Sequence, residues 1–285
     1  MSGSRFAPPD PAQVAVDVAR ALAEDLGGGD VTAALLPAAA RGVVQLSCRE
    51  DAVLAGCDWF AGCFRALDPT ADLRWSATDG DRIAAGSALC RIEGATRALL
   101  SAERSALNFL QTLSATATTA ARYVEAVAGT RAVILDTRKT LPGLRHAQKY
   151  AVRCGGAHNH RIGLFDAVLI KENHIAAAGG IAAAIATARR LQPRLLVEVE
   201  VENADELEQA LAAAPDRIML DDFGLDGIAA AVRRVAGRVP LEVSGGVDLA
   251  RVRAIAETGV DFISIGALTK HVRAIDLSLR LLPPN

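Results

Sequence analysis

The sequence predicts an α/β chain in which an α+β region precedes a parallel barrel, or part of one. Three observations carry that prediction. Helical and alternating segments mix up to about residue 94, residues 95 to 127 run without Gly or Pro, and six short apolar runs alternate with Ala- and Leu-rich helical segments beyond Gly129. At 285 residues and 51% apolar, the chain is long enough for one large barrel or for two domains.

Residues 1 to 11, "MSGSRFAPPDP", lack the apolar core of a signal peptide and read as a loose tail. Val14, Val18, Leu22 and Leu26 then share one helical stripe, which "GGGD" stops. "VVQLSC" (43 to 48), "LRWSA" (73 to 77) and "SALCRI" (87 to 92) read as strands, with a helix around Trp59 to Phe64 between them. The Gly- and Pro-free stretch is long enough for a helix joining two domains. The six runs that follow are "AVILD" (132 to 136), "AVLIK" (167 to 171), "LLVEVE" (195 to 200), "RIMLD" (217 to 221), "PLEVS" (240 to 244) and "FISIG" (262 to 266). From the third on they begin roughly 21 to 23 residues apart, the spacing of a repeated βα unit with parallel strands and crossover helices. "AAAGGIAAAIATARR" suits such a crossover helix.

Composition excludes several function classes. The net charge of -2 and 4% aromatic content argue against a nucleic-acid surface. No run reaches the ~18 apolar residues of a membrane span. Five cysteines, odd in number and without a CxxC pair, fit a reducing cytoplasm better than a disulfide framework.

Each of the six runs ends in a residue able to touch a ligand: Asp136 followed by Arg138 and Lys139, then Lys171, Glu200, Asp221, Ser244 and Gly266. Ligands of parallel α/β folds sit at the carboxyl ends of the strands. "VSGGV" and "SIGAL" close the last two runs, where barrels frequently hold phosphate on glycine N–H groups and a helix N-terminus. The alternative, tight turns needing glycine for φ > 0, stays open. Glu198, Glu200 and Glu202 share one strand face mid-series, so at least one should meet cations or a metal. Glu200 and Asp221, at neighbouring strand ends, suit Mg²⁺.

Asp136 to Lys171 holds seven Lys/Arg against two acids, a net of +5 in an otherwise acidic chain. Two like charges 4 Å apart cost about 4 kcal/mol at an effective dielectric of 20, so Arg138, Lys139, Arg161 and Lys171 converge only if carboxylates or a bound anion answer them. Convergence predicts an anionic substrate. Arg145, Lys149 and Arg153, at i, i+4 and i+8, read as one helix face, solvated or at an interface. His158 and His160 lack a third ligand at metal spacing, so zinc is not expected.

"LDTRKTLPGLR", "YAVRCGGAHNHRIGLFDAVLIKENHI", "VEVEVEN", "IMLDDF", "LEVSGG" and "ISIGALTKH" resemble the quinolinate phosphoribosyltransferase family, as do "EDLGGGDVT" and "SAERSALNFLQTLSATAT" near the amino terminus. The resemblance implies an amino-terminal α/β sandwich domain (1–115) followed by an incomplete parallel α/β barrel (116–285), with a last helix at about 275–285 packing back on the first domain. It implies an enzyme that joins quinolinate and phosphoribosyl pyrophosphate with Mg²⁺, giving nicotinate mononucleotide, pyrophosphate and CO₂ in NAD biosynthesis. It further implies a homodimer, open to higher assembly, with sites completed across the interface.

Carried onto this chain, Arg138, His160, Arg161 and Lys171 surround the quinolinate carboxylates, and Arg104 reaches in from the partner subunit. Lys139, Glu200 and Asp221 handle phosphoribosyl pyrophosphate and its metal, the metal directly or through the pyrophosphate, and Thr137 lines the same pocket. Lys139, Lys171, Glu200 and Asp221 are the expected catalytic set. Ser244, Gly245 and Gly246 with Ile265, Gly266 and Ala267 cradle the 5-phosphate. Ala157 stands where the family often has glycine, which bears on the local loop. A sugar-phosphate barrel enzyme using Lys139 or Lys171 as a Schiff-base amine, a relative of uncertain substrate associated with molybdate transport, and a non-catalytic binder of nucleic acid remain rival readings.

Overall fold

The computed structural model describes residues 6–283. Residues 1–5 of the expected tail and 284–285 of the expected last helix lie outside that range; the described part of the tail is not loose, since Phe6 packs edge-on against Tyr150 with ring centroids 5.6 Å apart and Asp10 caps the first helix. In chain order the elements begin α1 (Pro11–Leu26), β1 (Arg41–Cys48), β2 (Ala52–Val53), α2 (Cys57–Leu67), β3 (Asp72–Trp75), β4 (Arg82–Ile83), β5 (Ala88–Ala95), α3 (Thr96–Ala126), β6 (Val133–Leu135) and α4 (Arg145–Cys154). They continue β7 (Val168–Ile170), α5 (Glu172–Ala178), α6 (Ile181–Leu191), β8 (Val197–Val201), α7 (Ala204–Ala213), β9 (Arg217–Asp221), α8 (Leu225–Val235), β10 (Leu241–Ser244), α9 (Val252–Glu257), β11 (Phe262–Ser264), α10 (Ala267–Lys270) and β12 (Leu277–Leu281).

Two compact units result. One takes the chain up to Ala121, Leu141–Gly156 and the stretch from His271 on; the other takes Arg122–Thr140 and Ala157–Lys270.

In the first unit α1 opens with the Asp10 carboxylate accepting from the Ala12 N–H at 3.0 Å and with proline at the first helical position, where no N–H is needed. Val14, Val18 and Leu22 are buried along one stripe, and Gly62 of α2 comes close enough that an added Cβ would stand 3.0 Å from Val18. Asp17 on the same helix is buried, and the Trp59 indole N–H donates to its carboxylate at 3.0 Å, so the charge is not stranded.

Four antiparallel strands form the sheet in the order β12-β1-β5-β3, and β2 pairs with β4. The segment 277–281, expected as part of a helix, is a strand. Leu277, Leu279 and Leu281 alternate and pair with Cys48, Leu46 and Val44, which fills the open edge of β1. A second correction concerns α4. Lys149 is only 2% exposed, because α4 packs into this unit's core through Ala147, Tyr150, Ala151 and Cys154; Arg145 and Arg153 are half-buried. Positive charges at four-residue spacing therefore do not mark a solvated face here.

The second unit carries a six-stranded, all-parallel sheet in the order β6-β11-β10-β9-β8-β7. Strands consecutive in the chain are neighbours from β7 to β11, and β6 lies beside β11, which is the ring order of a barrel. Among the described residues β6 and β7 do not pair, so the ring is incomplete. A single parallel bridge, Leu135 to His158, extends the free edge of β6. Helices α6 and α7 pack against β8, and successive crossover helices pack on one another.

Register separates two faces. Val197, Val199 and Val201 of β8, Ile218 and Leu220 of β9 and Leu241 and Val243 of β10 share the apolar face. Glu198 and Glu200, Arg217 and Asp221, Glu242 and Ser244 share the other, so charge lies inside the strand ring.

Candidate active site

The ends of the six parallel strands bring the sequence-predicted residues of the second unit together. After β6 the chain bends at Thr137, whose Oγ1 accepts from the Lys139 N–H at 3.0 Å. The Lys139 side chain lies against Gly266, where an added Cβ would stand 2.9 Å from Cδ and 3.7 Å from the Thr137 hydroxyl. The Thr269 hydroxyl donates to the Lys139 carbonyl at 2.8 Å, and the Ile265 N–H donates to the Leu135 carbonyl at 2.9 Å. Lys139 is thus held between the ends of β6 and β11, with its side chain exposed.

Lys171 closes β7, and its Nζ donates to Glu200 Oε2 at 2.5 Å. Glu200 is 6% exposed. Burial pushes its carboxyl above the usual range, the Lys171 ammonium opposes that push, and the nearby charge of Asp221 adds to it. Two crowded carboxylates, one of them desolvated, are a donor set suited to a hard divalent cation.

The two glycine loops differ. Gly245 and Gly246 both have left-handed φ, +93° and +54°, and a Cβ at Gly245 would stand 2.0 Å from Asp222 Oδ1. Gly266 has no left-handed φ and owes its glycine to the approach of Lys139. Among the described residues the N–H groups of Gly245, Gly246, Gly266 and Ala267 meet no protein acceptor. The Ile265 N–H is spent on Leu135, so Ile265 contributes shape rather than a donor. The helix expected directly after Ser244-Gly245-Gly246 starts only at Val252, and the one after Gly266 is a single turn, Ala267–Lys270. Helix ends add less to these loops than their bare N–H groups do.

The segment His158 to Arg161 crosses the open edge of β6. The buried Asp136 carboxylate accepts from the Asn159 amide at 2.7 Å and from the His160 N–H at 2.9 Å. His160 Nδ1 accepts from the Arg161 N–H at 2.7 Å, which assigns the ring proton to Nε2, and Nε2 donates to Glu198 Oε2 at 2.9 Å. Both ring nitrogens are therefore engaged by protein, and the ring is 8% exposed.

Beyond Glu198 lies Glu242, fully buried, whose Oε2 accepts from Arg217 at 2.8 Å; the Arg217 guanidinium stacks 4.0 Å over the Phe262 ring. Burial pushes both carboxyls up to about 7; Arg217 offsets part of that push on Glu198, and the charge of Glu198 adds to it on Glu242. His160, Glu198 and Glu242 present ligand atoms within 4.8 Å of one another, the spacing of a metal set that the interval from His158 to His160 does not reveal. Here the Arg217 guanidinium supplies the cationic partner and the His160 Nε2–H a neutral donor.

Arg161 stands beside Arg138. Burial, and after it the charge of Arg138, pull the Arg161 pKa below its ordinary value, while Glu198 and Asp166 offset part of that effect. Ala157 has no left-handed φ, so alanine fits where Gly156, at +84°, would not tolerate it. Arg104, on α3 of the first unit, is exposed and makes no hydrogen bond or ion pair with another described residue. Sequence reasoning missed Glu242, Asn159 and the structural role of Glu198. A charged residue in the middle of a buried parallel strand, as in "PLEVS", was the available signal.

Comparison with known proteins agrees along the chain. The family model of the quinolinate phosphoribosyl transferase C-terminal domain matches residues 116–280, and that of the N-terminal domain matches 30–114. The chain is 43% identical over 264 residues to a probable nicotinate-nucleotide pyrophosphorylase [carboxylating] of Synechocystis, covering 91% of this chain and 90% of the relative. It is 43% identical over 271 residues to the nicotinate-nucleotide pyrophosphorylase [carboxylating] of Mycobacterium leprae, covering 93% and 95%. The solved structure of the nicotinate-nucleotide pyrophosphorylase from Francisella tularensis superposes with a TM-score of 0.93 at 46% identity, over 98% of this chain and 99% of that one.

Proposed function

The chain belongs to the quinolinate phosphoribosyltransferase family, and from that premise we propose how its own residues carry the reaction. Phosphoribosyl passes from phosphoribosyl pyrophosphate to the ring nitrogen of quinolinate, the 2-carboxylate leaves as CO₂, and nicotinate mononucleotide and pyrophosphate are released in NAD biosynthesis. The observation that carries the assignment of roles is that partial burial and the charge of Arg138 both lower the pKa of Arg161, which puts the two guanidinium groups within electrostatic reach of one another. Two guanidinium groups within electrostatic reach of one another favour an anion with two forked acceptors, and a vicinal dicarboxylate is such an anion.

Arg138 and Arg161 hold the quinolinate carboxylates, with the Lys171 ammonium at the neighbouring strand end. Lys139 faces the pyrophosphate that departs, and Thr137 lines the same pocket. Glu200 and Asp221 hold Mg²⁺, directly or through the pyrophosphate. When bound, the cation neutralises charge that develops on the leaving group. The Glu200 carboxylate also favours a ribose ring that gains positive charge as the C1–O bond breaks. The pyridine nitrogen then bonds to C1, the C2–carboxylate bond breaks to release CO₂, and the electron pair left at C2, stabilised by the adjacent quaternised nitrogen, takes up a proton from solvent to give nicotinate mononucleotide. The free N–H groups of Gly245, Gly246, Gly266 and Ala267, with Ser244 and the backbone shape set by Ile265, receive the 5-phosphate. His160 orients Arg161 from behind.

A homodimer completes the site. Arg104 of one chain reaches the quinolinate of its partner, a reading supported by its exposure and by its having no hydrogen-bond or ion-pair partner among the described residues. Beside it the turn Asp30 to Leu36 presents Val31 and Leu35 at 84% and 82% exposure, an apolar surface that a second copy covers. Arg97 and Ser101 of α3 pin that turn through the carbonyl of Leu36 and the carboxylate of Asp30. The five cysteines are all free, which supports a cytoplasmic setting.

The test of the roles is kinetic. Arg138→Ala and Arg161→Ala each raise KM for quinolinate by about tenfold or more and change KM for phosphoribosyl pyrophosphate little. Equal effects on both substrates would contradict the assignment.

A further inference from the structure

We propose that Asp136, Glu198 and Glu242 form a buried relay that positions Arg161 through His160, Asp136 holding the His160 backbone and the two glutamates its ring, and so sets affinity for quinolinate without touching it. The proposal rests on the reading of Arg161 as a quinolinate ligand.

The geometry is a chain of fixed contacts. Arg217, clamped over Phe262, donates to Glu242. Glu242 Oε1 lies 3.5 Å from His160 Nε2, whose proton goes to Glu198 Oε2 at 2.9 Å. The other ring nitrogen receives the N–H of Arg161 itself at 2.7 Å. On the opposite side Asp136, 0% exposed, receives the N–H of His160 and the amide of Asn159. The backbone on both sides of the His160 side chain is thus bound to a buried carboxylate or to the ring, and the Arg161 Cα has little freedom.

Such rigidity has a purpose at this place. Holding a guanidinium beside Arg138 before the substrate arrives opposes their repulsion, and a loop free to relax would swing Arg161 away. A preorganised pair binds a dicarboxylate without first ordering its own loop. The two glutamates face inward from β8 and β10, so the relay ties the loop to two strands that are both hydrogen-bonded to β9. Asp136, Glu198 and Glu242 are positioning residues.

The test measures both KM values and the thermal midpoint in five single variants and one double variant. Glu198→Leu removes the acceptor of the His160 proton at similar volume and raises KM for quinolinate roughly tenfold, with KM for phosphoribosyl pyrophosphate close to the parent value. Glu198→Gln keeps an oxygen acceptor for Nε2 and restores most of the affinity. In a His160→Ala background Glu198→Leu adds nothing further, because its route to Arg161 is already cut. Asp136→Asn, which keeps the volume but turns one acceptor into a donor, raises the same KM and serves should Glu198→Leu fail to fold.

Parent-like KM for quinolinate in folded Glu198→Leu, or in Asp136→Asn, overturns the relay, and so does an additive effect with His160→Ala. Arg161→Ala is the control. If it leaves KM for quinolinate unchanged, the reading of Arg161 fails and the relay with it. If it raises that KM while Glu198→Leu and Asp136→Asn do not, the relay alone fails.

Discussion

An added methyl group at Gly266 would stand 2.9 Å from Cδ of Lys139, the flexible part of an exposed side chain. The backbone there has no left-handed φ, so Gly266→Ala should fold with little loss of stability yet displace the ammonium that faces pyrophosphate. The expected outcome is a kcat lowered about tenfold with a nearly unchanged thermal midpoint. Gly245→Ala behaves in the opposite way. Its Cβ would meet Asp222 at 2.0 Å on a backbone with φ of +93°, and stability falls by about 1 to 3 kcal/mol, read from the denaturant midpoint. Both glycines stand out in "VSGGV" and "SIGAL", but the sequence offers no means of telling a left-handed turn from a close approach. That distinction depends on Asp222 and Lys139, which other parts of the chain deliver. His160 teaches the same lesson. Its place beside Arg161 is legible, whereas the engagement of both ring nitrogens depends on Glu198, thirty-eight residues away.

Strands β8 and β10 show what an element carries beyond its pattern. "VEVEV" alternates as a half-solvated strand would, yet every residue in it is buried, because its Glu face lies within the strand ring and its Val face is covered by helices. Alternation gave the faces; only the order of neighbouring strands says that neither meets bulk water. The buried acids make stability depend on pH. An acid whose folded pKa exceeds its unfolded value takes up a proton on folding, so its contribution is full below the unfolded value near 4.5 and is lost as pH rises through about 7. The parent should therefore lose stability between those limits. Glu242→Gln, which cannot ionise, should flatten that slope and gain on the order of 1 to 3 kcal/mol over the parent at pH 8 relative to pH 5. Urea midpoints at the two pH values check it; parallel slopes for parent and variant would contradict it.

At the scale of the whole molecule, the local grammar of the chain was legible and its long-range pairings were not. Six apolar runs with chemistry at their ends announce a parallel α/β unit, and the segment 95 to 127 announces α3. A helix is expected where β12 stands because its partner, β1, lies more than two hundred residues earlier, and no local signal tells an edge strand that its neighbour exists. The spacing of Lys149 with Arg145 and Arg153 reads as a helix face, solvated or at an interface, for a similar reason, since burial of α4 is decided by the core it joins. The proposed dimer is also a property of the whole. Inactive Arg104→Ala and inactive Lys171→Ala chains, mixed and allowed to exchange subunits, should recover roughly a quarter of parental activity through mixed dimers that hold one intact site of two. No recovery in verified mixed dimers would mean that each site is built from one chain.

The central claim is that these strand ends join a pyridine dicarboxylate to phosphoribosyl pyrophosphate and release CO₂. Incubating the purified protein with quinolinate, phosphoribosyl pyrophosphate and Mg²⁺, and following nicotinate mononucleotide together with CO₂, tests it directly. The account predicts the two products in equal amounts, and no turnover when nicotinate replaces quinolinate. Turnover with nicotinate and none with quinolinate would contradict it.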